Sequence, residues 1–98
     1  MRLEVTKRAQ REAKRLAQWW LENRDKAPEL FEEELIAAYR LILSDPALGQ
    51  TYLVSRGRRI QRVLMPGTKN HVYYYRQDSE LLRVVSVWGA VRGREPRL

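Results

Sequence analysis

The chain contains no cysteine and a single histidine, His71, in 98 residues. Disulfides and thiolate metal sites are thereby excluded, and one imidazole cannot supply a multi-histidine site. Stability has to come from packing, and neither a metal nor a cofactor is expected. Long apolar runs are missing too. Nothing approaches the ~20 residues of a membrane span, and Met1-Arg2-Leu3-Glu4 leads into a charged segment rather than a signal-peptide core. The expectation is a cytoplasmic protein with no membrane partner. One compact domain over residues 1–98 is expected, because a chain of this size buries roughly two thirds of the surface its unfolded form exposes.

What the chain does have is charge, unevenly placed. Up to Gln50 it carries nine Lys/Arg and nine Asp/Glu, and from Thr51 onward ten against three. The formal net charge of +7 is therefore a localised field in the second half. Such a surface attracts phosphate backbones, acidic proteins or anionic membranes and makes association steep in salt. Most of the basic residues are arginine, whose planar fork suits bidentate contact with carboxylates or phosphates. Arg56, Arg58, Arg59 and Arg62 cluster, Arg76 and Arg94 follow, and residues 92–98 form a basic tail. A charge run of this kind is either solvated surface or a contact site.

Leu3 and Val5 suggest a short opening strand, and Thr6 is a good N-cap for a helix ending near Asn23. Ala9, Ala13, Leu16 and Trp20 form its apolar stripe. A second helix is expected with Pro28 in its first turn and with Phe31, Leu35, Ala38 and Ile42 as its stripe. Ser44-Asp45-Pro46 stops it. After a loop containing Gly49 and Gly57, three segments read as strands: Arg59 to Met65, His71 to Gln77 and Leu81 to Ala90. Connections of hairpin length make them an antiparallel meander. The last is apolar on both faces, which puts it in the sheet interior, with the helices over one face. The fold class is α+β in the order β-α-α-β-β-β.

The order of these elements, His71-Val-Tyr-Tyr-Tyr-Arg76 on a hairpin, and Val87-Trp-Gly-Ala-Val-Arg92-Gly-Arg-Glu-Pro96 at the end together resemble the RelE/ParE superfamily of bacterial type II toxins. The likeness spans nearly the whole chain. It implies a small antiparallel sheet packed by an N-terminal helical hairpin, and a toxin that its cognate antitoxin neutralises in a hetero-oligomer. The RelE-like branch cleaves mRNA in the ribosomal A site, which needs a proton acceptor, a proton donor and cations for the charge on the phosphorane. Under that alternative His71 and Arg92 are the catalytic candidates. After Arg92, however, the chain holds only Gly, Arg, Glu, Pro and Leu, without that branch's late aromatic or imidazole group. The ParE-like branch, which poisons DNA gyrase by protein contact, fits better. A non-toxic basic RNA- or ribosome-binding domain is the third reading.

Target or nucleic-acid contact then falls to Arg56, Arg58, Arg59, Arg62, Arg76, Arg92 and Arg94, and antitoxin contact to Trp19, Arg59 and Arg62. Trp19 lies about 100° from Trp20 on the helix, at the edge of the stripe. Packing in the hairpin core is its expected place; exposure would make it a groove for an antitoxin segment. Tyr73, Tyr74 and Tyr75 alternate across a strand, so at least one packs in the core and the others pair across the sheet, with base stacking as the alternative. For His71 the structural reading is a half-exposed strand residue beside a turn; the functional reading is an acid or base near neutral pH.

Overall fold

A computed structural model describes residues 1–24, 27–90 and 94–98. The elements are β1 (Arg2–Val5), α1 (Lys7–Asn23), α2 (Leu30–Ser44), β2 (Gln50–Ser55), β3 (Arg58–Met65), β4 (Asn70–Asp78) and β5 (Leu81–Gly89). Thr6 caps α1 as its sequence suggests, its hydroxyl accepting from the Ala9 N–H at 3.1 Å. Pro28 lies in the turn before α2, which starts two residues later, at Leu30. The Trp20 indole N–H donates to the Ala27 carbonyl in that turn and closes the helical hairpin.

All the strands join one sheet in the order β1-β5-β4-β3-β2. β2 to β5 pair antiparallel in sequence, and β1 returns the edge by pairing parallel with β5. Four strands therefore follow the helices rather than the three expected. The added one is β2, which lies between Gly49 and Gly57, where the glycines predict a loop. Gly57 is in fact the second residue of a two-residue hairpin turn whose first is Arg56, with φ of 76° and 53°. Positive φ at both central positions is what the right-handed twist of a tight hairpin demands.

One face of the sheet is covered by the helices, α1 lying chiefly on β5 and α2 on β3. Ala9, Ala13, Phe31, Ala38 and Ile42 meet Met65, Val72, Tyr74, Leu82 and Val84 there in one buried cluster. The Glu12 carboxylate of α1 accepts from Ser86 Oγ at 2.8 Å and from the Val87 N–H at 3.2 Å, next to the irregularity in the β4–β5 pairing. On α2, Glu34 accepts from the Gly67 and Thr68 N–H groups at 2.6 and 2.8 Å, tying the β3–β4 connection to the helix. The opposite face carries a second cluster, Ile60, Tyr73 and Tyr75, ringed by Tyr52, Val85, Trp88 and Leu98. All three consecutive tyrosines are buried, Tyr74 on the helix side and its neighbours on the other. Packing is their role, and the stacking alternative falls.

Trp19 departs from expectation. It is 48% exposed, because the stripe through Ala13, Leu16 and Trp20 already fills the contact with α2 and the sheet. Its ring lies 6.3 Å from that of Trp20 and 5.1 Å from the Arg24 guanidinium carbon.

Candidate functional site

The face of the sheet away from the helices is where cationic and aromatic groups converge. The C-terminal tail lies across part of it. The Trp88 indole N–H donates to the Arg94 carbonyl at 3.0 Å, the Tyr52 hydroxyl to the Pro96 carbonyl at 3.0 Å, and Arg8 Nη1 to the Arg97 carbonyl at 2.5 Å. Pro96 is buried by these contacts. Under the tail, Arg62 stacks on the Tyr52 ring, its guanidinium carbon 5.3 Å from the centroid. Its Nη1 donates to the Tyr73 hydroxyl at 3.4 Å and faces the Glu95 carboxylate at 3.5 Å. His71 meets Tyr73 edge to face, ring centroids 5.9 Å apart. Burial, and secondly the charge on Arg62, lower its pKa from the ordinary 6.5.

Beside this cluster opens a cleft of about 550 Å³. Arg8 from α1, Arg56 and Arg58 from the β2–β3 hairpin and Arg83 from β5 line it, and no Asp or Glu side chain does. Its floor is apolar, made by Ile60, Val85 and Leu98 with Tyr75. The Arg58 guanidinium lies over the Tyr75 ring at 4.7 Å, in cation–π range. Arg83 reaches the Tyr75 hydroxyl at 3.4 Å and Glu4 at 3.3 Å. Arg8 has Glu12 at 3.5 Å. The described residues form three ion pairs, and neither Arg56 nor Arg58 is in any of them. The site thus offers unneutralised guanidinium groups around an aliphatic floor, a combination suited to an anion attached to something apolar.

Of the residues singled out from sequence, the fold brings Arg56 and Arg58 into this cleft and sets Arg62 and His71 beside the tail. Arg59, next to Arg58 in β3, is exposed and points to the other side of the strand. Arg76 is exposed toward the far end of β4, and Arg94 is exposed in the tail. Arg92 lies outside the described residues. Trp19 belongs to a separate surface, the outer face of α1, with Arg11, Lys14 and Arg15 around it. The cleft also holds Arg8 and Arg83, which lie outside the arginine cluster of the sequence. Arg8 carries no local signal. Arg83 had one: it is the single charged residue in the strand Leu81–Gly89.

No helix among the described residues is long and apolar enough to cross a membrane. Among those residues no group of three or more His, Asp or Glu side chains is placed to hold a metal ion. Helical hairpin, sheet and an outer face lined with arginine define a small basic α+β protein. The chain matches the family model described as the ParE toxin of the type II toxin-antitoxin system, parDE, over residues 3–92, and it belongs to that family. It is a toxin of a type II toxin–antitoxin system, and the family implies an antitoxin partner. Comparison with curated proteins gives no match.

Proposed function

We propose that the chain acts as a single-domain toxin in the bacterial cytoplasm, that it arrests growth by poisoning DNA gyrase through protein contact, and that a cognate antitoxin neutralises it in a hetero-oligomer. The observation that carries this reading is the state of Arg62. RNA cleavage by 2′-hydroxyl attack needs a cation free to meet the phosphorane beside an acid and a base. Arg62, whose partner across the β3–β4 ladder is Tyr73, two residues from His71, and whose charge helps lower the His71 pKa, is stacked on Tyr52 and faces the Glu95 carboxylate beneath the tail. A phosphate arriving there would have to displace a carboxylate. Protein contact asks only for exposed charge, which Arg56, Arg58, Arg59, Arg76 and Arg94 supply; Arg92 belongs to the same target-binding set by sequence. Trp19, exposed on α1, and the exposed Arg59 are the proposed antitoxin contact; Arg62, assigned to it by sequence, would join only if the antitoxin displaced Glu95 from it.

Induced expression in a bacterium tests this, with parallel readouts of gyrase supercoiling and of transcript cleavage on ribosomes. Loss of supercoiling with intact transcripts is the expected result. Cleavage in the ribosomal A site would overturn the gyrase reading and make His71 and Arg92 the residues to mutate. Unimpaired growth without antitoxin would remove toxicity itself.

A further inference from the structure

The cleft between α1, the β2–β3 hairpin and β5 has a feature that reaches beyond general basicity. Arg56 occupies a left-handed backbone position, φ 53°, at the tip of the hairpin. Asn, Asp and Gly adopt that conformation with less strain than arginine. A residue that works against its own turn is a pointer to a role outside the turn. Arg58 on the following strand and Arg8 and Arg83 across the cleft surround the same space; no Asp or Glu side chain lines it, and the partners of Arg8 and Arg83, Glu12 and Glu4, lie outside it. Cations held together in this way gain from an anionic occupant.

The chemistry of the floor decides what kind of anion. Tyr75 is 5% exposed and its ring already lies under Arg58, so it offers no free face on which a base could stack. Ile60, Val85 and Leu98 present aliphatic surface instead, which a sugar–phosphate chain has no use for. We propose that this cleft binds an acidic peptide segment, its carboxylates forked by Arg56, Arg58 and Arg83 and an aliphatic side chain of the same segment seated on Ile60 and Val85. The site deepens the protein-contact reading and rests on it only for the question of which protein carries the segment.

Fluorescence anisotropy on the full chain tests the site directly, with a short labelled peptide rich in glutamate around a single leucine as probe. Three comparison probes accompany it: the peptide with glutamine for glutamate, the peptide with alanine for leucine, and a single-stranded oligonucleotide of equal charge. The parent peptide binds, salt weakens it, and each altered probe binds about tenfold more weakly. Arg56→Asn weakens the parent peptide by about tenfold while leaving the melting temperature unlowered, since asparagine suits the turn. Arg83→Gln does the same with an unchanged circular dichroism spectrum. Equal or tighter binding of the oligonucleotide, indifference to the leucine, or parental affinity in Arg56→Asn would overturn the proposal. Gyrase inhibition that persists while the peptide fails to bind removes the cleft and leaves the proposed function; peptide binding without gyrase inhibition does the reverse.

Discussion

Glu12 keys α1 to β5, and its removal has a cost that can be worked out from its neighbours. The side chain is 13% exposed and faces Arg8 at 3.5 Å, and it accepts from Ser86 Oγ at 2.8 Å and the Val87 N–H at 3.2 Å. Ser86 is 0% exposed, so in Glu12→Ala its hydroxyl loses this acceptor where little water can replace it. A hydrogen bond to a charged group contributes ~1.5–3 kcal/mol, and a neutral one about 1 kcal/mol. Allowing for partial relaxation, Glu12→Ala should cost about 3 kcal/mol. Glu12→Gln keeps one carbonyl oxygen for the two donors and should cost about 1 kcal/mol. In a domain near this size 1 kcal/mol moves the midpoint by roughly 4–8 °C, so the two variants separate clearly. Urea unfolding followed by circular dichroism gives the free energies, with Ser86→Ala made in both the parent and the Glu12→Ala backgrounds. If the carboxylate–hydroxyl bond is the cause, the pair couples by about 1 kcal/mol. Strict additivity, or a glutamine variant as damaged as the alanine one, would refute the reasoning. Because α1 also carries Arg8 to the cleft, Glu12→Ala should weaken acidic-peptide binding as well.

A Cβ at Gly49 would fall against the Tyr74 hydroxyl and 2.9 Å from Cε1 of its ring. That ring is 0% exposed and its hydroxyl bridges Gly49 and Pro46, so Gly49→Ala should destabilise by ~1–3 kcal/mol, and an unchanged urea midpoint would count against it. His71 has a folded-state pKa below 6.5, so the folded protein binds fewer protons there than the unfolded chain. Its contribution to stability is complete above pH 6.5 and is lost as pH falls through the folded value. An imidazole NMR titration with a midpoint at or above 6.5 would contradict that, and His71→Gln should flatten the decline. Trp19→Ala should leave stability within ~0.5 kcal/mol, as for an exposed side chain, yet weaken antitoxin binding by calorimetry; unaltered affinity would remove Trp19 from that interface.

Local rules made much of the fold readable. The Thr6 cap, the stripes through Ala9, Ala13, Phe31 and Ile42, and the alternation around Tyr74 depend on residues within a turn or a pleat of one another, and the structure buries them accordingly. β2 escaped because it is an edge strand. Leu53 and Val54 are 37% and 64% exposed, so no alternation separates a wet face from a dry one, and a glycine that serves a two-residue turn reads locally as loop. Trp19 was misplaced for a related reason: a helical wheel puts it at the border of the stripe, and only the extent of α2 and the sheet decides whether anything covers that border.

The candidate site divides along the same line. Composition alone determined that the second half would be strongly basic, that thiol chemistry would be absent, and that arginine would supply the charge. Which arginines act together was decided by the tertiary structure. Arg8 and Arg83 lie 75 positions apart and meet Arg56 and Arg58 because β5 is paired beside β4 and carries α1 on its helix-covered side. The tail is placed the same way, by single hydrogen bonds to Tyr52, Trp88 and Arg8 from three different elements. Periodicity reports what neighbours along the chain require of one another; strand order and layer packing bring remote side chains together, and no local pattern encodes them.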